Sequence, residues 1–414
     1  MLDYKKIGLY LLEKRKLNML TQKQLADQLC ISFQAVSRWE KGLSIPSVDL
    51  LNDLAKIFHV TVDEILKGED NWPLFSYQQS GVDVTKIDII NNNLKNIINK
   101  YPYNHAFRGA TYDLSSKTFA NNPQIVSKVQ EPVTKQLLAF EYGYINELIE
   151  DIIFTLINDI LMIGSIPLFI TINIIADNLD RKFLEKIIRE FYVKASEHKI
   201  MCLTGQTSIK PQSLYSRQCL ISTTITGIVD DTRAIDTNNI CENDIIIAIN
   251  SNGLHHYGYS LIATLMNSIP KIKNETINGN SFIEEIMKPQ FYYYDCLNYL
   301  IDQKMVKGLV NITGCGFPRN LKRVIPDHLC ACIDLSKIKI PEIFHCLKSY
   351  LKVSDFEMLN TFNCGVGYIV IISPDQKKRV IDHIGKDFQC QQIGIIKKGS
   401  KRIDLYNHLN WSKY

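Results

Sequence analysis

The hydrophobic period of the chain changes once, near residue 70, and this change limits the fold more than any other feature. Residues 1–67 carry only helical spacing, as in IGLYLLEKRK. Beyond residue 76, β-branched runs such as PLFITINII, CLISTTITGIV, DIIIAIN and GYIVIISP alternate with amphipathic stretches such as DRKFLEKIIREFYVKAS. Period 3.6 alone means packed helices, whereas runs of both kinds mean α/β or α+β layers. The chain therefore reads as multidomain: an all-α domain over 1–67, a linker at 68–76 (GEDNWPLFS), and a larger α/β (α+β) part. The length of 414 residues has room for two or three domains.

Charge gives little away. The net charge is +4, and residues 1–67 hold ten Lys/Arg against eight Asp/Glu. Any nucleic-acid partner must therefore be argued from a motif. The opening MLDYKKIGLY lacks a signal-peptide pattern, and Ile160–Ala176 carries Gly164, Pro167 and Asn173, which suit a helix end, a turn and a buried strand better than a membrane span. Eleven scattered cysteines form no CxxC, so a reduced, cytoplasmic protein without a membrane partner is expected. Cys330 and Cys332 would face one side of a strand and read as core thiols rather than a metal site.

Within 1–67, Thr21 and Gln24 form a capping box ahead of one helix, and Ser32 opens the next after a two-residue turn. Ala26, Leu29, Ala35, Val36 and Trp39 fall where these helices must pack. That leaves Phe33, Gln34, Ser37, Arg38 and Lys41 on the outer face, while Gln22 and Ser32 stand at helix N-termini suited to phosphate. A solvated face on a plain helical bundle is the alternative. The fragment VSRWEKGLSIPSVDLLNDLAKIF resembles the Cro/C1-type (XRE-like) repressors over residues 5–67. That resemblance implies DNA contacts at Gln22, Ser32, Gln34, Ser37, Arg38 and Lys41, and a dimer on a double-stranded operator with two-fold symmetry.

In the larger part, five segments stand out: FSYQQSGVDV, LINDILMIGSIPLF, NSNGLHHYGYSL, NITGCGFPRNLKRVIP and TFNCGVGY. The glycine-containing loops allow backbone N–H groups to approach an anion, and His255 follows a turn after the strand DIIIAIN. In this order the segments resemble the formylglycinamidine ribonucleotide cyclo-ligases (aminoimidazole ribonucleotide synthetases) over about 75–400. The resemblance implies two α/β halves, 77–230 and 231–405, with ATP and magnesium in the first and a ribonucleotide between them. It also implies a homodimer built on a barrel from the first half. The ligand positions it carries over are Asp83, Lys135, Asp151, Asn158, Asp159, Gln206, His255, Thr313, Gly314, Gly316, Asn363 and Gly365.

The match breaks on the ATP side. The family's phosphate loop GTDGVGTK is KVQEPVTK here (128–135): Gln130 replaces a magnesium-binding Asp, the three glycines are gone and Pro132 has entered. The acidic loop GGETAEMPG is TGQTSIKPQ (204–212), with Gln206 and Ile209 in place of its glutamates. Asp151 and Asp159 either hold a metal weakly or act as capping and core polar groups. Magnesium is therefore not expected, and no cofactor beyond a nucleotide or ribonucleotide ligand is implied. Three readings remain. One is a transcription regulator whose non-catalytic synthetase-like domain dimerises and senses a phosphorylated metabolite. The second is a working ATP-dependent cyclo-ligase with an autoregulatory DNA-binding domain. The third is a dimerisation or protein-interaction scaffold.

Overall fold

The structure is a computed structural model that describes residues 2–70, 112, 114, 121–177, 181–203, 205–210, 219–314 and 316–411. Asp83, the segment 75–84 and most of the expected linker lie outside these residues. Two units divide at residue 80 and are described separately.

The first unit is five helices: α1 (Tyr4–Leu17), α2 (Gln22–Gln28), α3 (Phe33–Glu40), α4 (Val48–Phe58) and α5 (Val62–Lys67). Capping boxes at Thr21 and Thr61 set the starts of α2 and α5, each satisfying two backbone donors. Spacing does the rest: Leu51, Leu54 and Phe58 fall on one face of α4 and join Ile7, Leu25, Val36 and Trp39 in one apolar core. Gly8 lets α1 lie against the end of α3, since a Cβ there would stand 2.3 Å from the Trp39 carbonyl oxygen. Buried Arg15 and Glu40 pair beneath this contact, with Arg15 Nη2 3.0 Å from Glu40 Oε2. The unit runs past the expected boundary at 67. Gly68 caps α5, Tyr10 and Lys14 donate to Asp70 (2.6 and 2.8 Å), and Glu69 pairs with Lys6, so 68–70 are not linker.

The second unit has two main sheets. The first holds β1 (Gln124–Gln130), β2 (Ile166–Ala176), β3 (Met201–Cys202), β4 (Gln206–Ile209) and β5 (Cys219–Val229). β5 lies antiparallel between β1 and β2, and β3 and β4 run parallel to β2. Helices α6 (Val133–Tyr142), α7 (Ile145–Leu161) and α8 (Arg181–Glu197) belong to this half. The second sheet has the order β13-β10-β12-β6-β11-β9. Its strands are β6 (Ile245–Asn250), β9 (Gly308–Asn311), β10 (Leu329–Asp334), β11 (Val366–Ile372), β12 (Cys390–Lys398) and β13 (Arg402–Tyr406). A two-stranded β7–β8 ribbon, Thr276–Ile277 with Asn280–Ser281, lies between. Helices α9 (Tyr259–Ser268), α10 (Phe282–Met287), α11 (Tyr294–Asp302), α12 (Gly316–Val324), α13 (Glu342–Leu351), α14 (Asp355–Thr361) and α15 (Lys377–Ile384) complete it. β6 and β11 are buried on both faces, which is why they read as unbroken apolar runs. No helix among the described residues is long and apolar enough to cross a membrane.

Candidate functional site

α7 is buried from Asp151 to Leu161, yet carries Asp151, Thr155, Asn158 and Asp159. These positions repeat at helical spacing and form one polar stripe in an apolar helix. A buried polar stripe needs partners, and both halves supply them.

Asp151 is fully enclosed. Its Oδ2 receives Lys135 Nζ at 2.6 Å and His256 Nδ1 at 2.8 Å, and its Oδ1 receives the Gln290 backbone N–H at 2.8 Å. Burial pushes this carboxyl up, but Lys135 and His256 more than reverse the effect and hold it below the ordinary range. Lys135 also donates to the carbonyls of His255 (2.8 Å) and Lys288 (3.3 Å), so all three ammonium protons have acceptors. Asn158 is equally engaged, donating to the Gln290 side chain and the Phe291 carbonyl and accepting from the Tyr293 N–H.

Asp159 has different company. Gln130 Nε2 donates to its Oδ2 at 3.1 Å and Asn311 Nδ2 to its Oδ1 at 2.8 Å. Burial raises its pKa, against the opposing Asn311 hydrogen bond. This arrangement does not fit the magnesium ion that the resemblance implies. Asp151 is saturated by Lys135, His256 and a backbone amide, Asp159 faces amide donors, and among the described residues no three His, Cys or carboxylate ligand atoms converge here. Gln206 is exposed on β4, its backbone N–H donating to Asn173, and Ile209 offers no ligand atom.

Beside the stripe lies a cavity of about 300 Å³ lined by residues 130–135 and 256–260. The first turns of α6 and α9 open on it, so it faces backbone N–H groups without helical partners. The Thr134 and Ser260 hydroxyls stand 3.4 Å apart at its rim, and Tyr257 OH is 3.4 Å from Gln130 Nε2. Backbone donors and hydroxyls at two helix starts suit an anion such as a phosphate.

The other expected positions sit elsewhere. His255, expected to meet a ligand, is 2% exposed with both ring nitrogens unpartnered, and burial lowers its pKa to about 3. Its φ of 60° turns its ring towards Gly367, where a Cβ would stand 2.9 Å from His255 Cε1, and its neighbour His256 lines the cavity instead. Asn363 is a bracket: Ser251 Oγ and Gly365 N donate to its Oδ1 (both 2.9 Å), and its Nδ2 donates to the Gly253 carbonyl. The Gly365 amide, expected to hold an anion, is thus already engaged. Thr313, Gly314 and Gly316 form a turn whose three carbonyls accept from Asn320 Nδ2. Gly314 flanks the Tyr257 ring, which brings this turn to the cavity wall. His256, Tyr257, Ser260, Gln290 and Asn311 were not singled out from sequence. Asn311 opens the motif NITGCG, and the doubled histidine at 255–256 was visible, but both rings are buried and only His256 meets Asp151.

In the helical unit, α3 presents Phe33, Gln34 and Arg38 exposed and Ser37 half-buried, with Lys41 exposed at its end. Ser32 caps α3 through no side-chain bond, leaving its hydroxyl available. Gln22, expected to face phosphate, donates its amide to Glu40 Oε2 at 2.7 Å.

Family models match three stretches: helix-turn-helix over 11–65, AIR synthase related protein N-terminal domain over 148–229, and its C-terminal domain over 242–405. A phosphoribosylformylglycinamidine cyclo-ligase of Lawsonia intracellularis is 30% identical over 334 residues, 78% of this chain and 95% of the relative. The chain belongs to the phosphoribosylformylglycinamidine cyclo-ligase family. The chloroplastic cyclo-ligase of Arabidopsis thaliana is 29% identical over 80% of this chain and 83% of its own. The fold extends to thiamine-monophosphate kinase from Stenotrophomonas maltophilia (TM-score 0.56, 16% identity, 78% of this chain and 96% of that one). It extends also to E. coli HypE (TM-score 0.56, 16% identity, 79% and 98%). This protein is a helix-turn-helix DNA-binding domain fused to an AIR synthase-like domain.

Proposed function

We propose that this cyclo-ligase relative is a DNA-binding regulator whose synthetase-like unit binds a small phosphorylated metabolite or nucleotide and does not transfer phosphoryl groups. The observation that carries the reading is the Gln130–Asp159 hydrogen bond. Where the family has a second carboxylate for a cation to bridge, a neutral amide satisfies the Asp159 acceptor without metal. Phosphoryl transfer rests on positioning and metal charge, and losing one such contact costs about 3–4 kcal/mol of barrier. The cavity at the starts of α6 and α9 keeps donors for a phosphate, and the outer face of α3 keeps its Gln and Arg. A homodimer presenting two such helices to a two-fold operator completes the proposal.

Thermal unfolding of the full-length protein with ribose 5-phosphate, AMP or ATP, each with and without magnesium, tests it. A ligand at 100 times its Kd adds about 2.7 kcal/mol, and the gain should survive chelation of magnesium. ATP turnover at about 1 per second, in the ordinary enzyme range, would overturn the reading in favour of a working ligase.

A further inference from the structure

A separate cluster sits at the edge of the second sheet. Cys330 and Cys332 project from one face of β10, and the parallel register of β13 sets Asp404 beside Cys332. The two Sγ atoms are 3.8 Å apart, and Cys330 Sγ is 3.7 Å from Asp404 Oδ2. All three ligand atoms lie within 4.8 Å of one another. Bond lengths of about 2.3 Å to sulfur and about 2.1 Å to oxygen, at tetrahedral angles, place two sulfurs on one zinc about 3.8 Å apart and sulfur and oxygen about 3.6 Å apart. We propose that Cys330, Cys332 and Asp404 form a binding site for a thiophilic divalent cation of the zinc class, fastening β13 to β10.

Three further observations support it. Arg402 Nε donates to Asp404 Oδ1 at 2.8 Å, which orients the carboxylate and leaves Oδ2 towards the thiols. Gly399 gives Cys330 room, since a Cβ there would stand 3.3 Å from its Sγ. Neither thiol belongs to the apolar clusters that fill the unit: Cys330 is buried, as the core reading expected, but Cys332 is only half-buried. Two thiolates and a carboxylate balance one divalent cation and Arg402. The half-exposed side of Asp404 leaves the fourth position to water. Burial and the neighbouring Cys332 push the Cys330 thiol up to about 11. Only thiolates ligate such an ion, so binding tightens as pH rises.

The test uses reduced, chelator-treated full-length protein titrated with cobalt(II). Wild type should take up one ion per chain with a thiolate-to-cobalt charge-transfer band that zinc abolishes, and Cys332→Ser should lose the band. Asp404→Asn, which keeps both thiols and the fold, should retain the band at saturation but weaken binding by at least the about 10–100-fold that loss of an orienting partner costs. Zinc should raise the melting temperature more at alkaline than at mildly acidic pH. Absence of the band, or a band unchanged in Cys332→Ser, would overturn the assignment.

Discussion

Lys135 and Asp151 form an ion pair from which water is excluded, with Nζ 2.6 Å from Oδ2 and side chains 1% and 0% exposed. The pair closes the seam between the halves, because Lys135 also holds the carbonyls of His255 and Lys288. Removing one partner leaves a buried charge uncompensated. Lys135→Met or Asp151→Asn should each cost about 3–5 kcal/mol in urea unfolding. The double variant Lys135→Met/Asp151→Leu should recover much of that loss; additive losses would contradict this account.

Acid should weaken the second unit through His255. Its folded pKa, about 3, lies below the unfolded value of about 6.5, so the unfolded chain takes up the proton first. Its contribution is complete above pH 6.5 and declines as pH falls towards 3. Between pH 6.5 and 5 the loss is about 2 kcal/mol. His255→Gln should flatten that part of the stability profile, and an unchanged slope would show that another group governs it.

Gln130→Asp places a second carboxylate beside Asp159. Without metal, the lost amide donor and the added charge should cost about 1–3 kcal/mol. Magnesium should then stabilise the variant and not the wild type, in parallel melts with and without chelator. Equal magnesium shifts in both proteins would mean that the wild-type site already binds the ion.

On DNA, Arg38→Ala should cost about 1–3 kcal/mol on the operator if its guanidinium reads a guanine edge. Lys41→Ala should weaken all sequences alike and reduce the salt slope by about one. Gel shifts across salt concentrations separate the two. Wild-type affinity in Arg38→Ala would remove α3 as the reading helix.

Ile125 on β1 is 70% exposed at the edge of the first sheet, and Val129 is exposed on the same strand. The proposed dimer needs such an apolar edge. Ile125→Lys/Val129→Lys should give monomers in light scattering and loss of operator affinity, with thermal stability of the helical unit unchanged. A dimer that persists would place the interface elsewhere.

The helical unit was almost wholly legible in the sequence, because caps and spacing are local: Thr21, Ser32 and Thr61 mark starts that the structure keeps. The two-part α/β texture was equally legible, since both-faced burial of β6 and β11 writes itself as apolar runs. The site was legible only in part. Asp151 and Asp159 were picked out, but His256, Gln290 and Asn311, which complete their shells beside Lys135 and Gln130, lie more than a hundred residues away in the second half. Sequence does not say which ring of the pair reaches Asp151; in the fold it is His256, next to a left-handed His255. Asn363 and Gly365 were picked out too, but composition does not show that they bond each other, since a glycine loop that cradles an anion and one that braces its own backbone share a composition.

The strand order of the second sheet sets a timetable for synthesis. β6 sits between β11 and β12, and β10 completes its pairing only with β13, so the sheet is unfinished until residue 406 has left the ribosome. The helical unit closes entirely within its first 70 residues, with Asp70 returning to Tyr10 and Lys14. At about 5–20 residues per second, the DNA-reading head is folded some tens of seconds before the remainder of its own chain. Every nascent copy thus passes through an interval as a lone head without the domain that follows it.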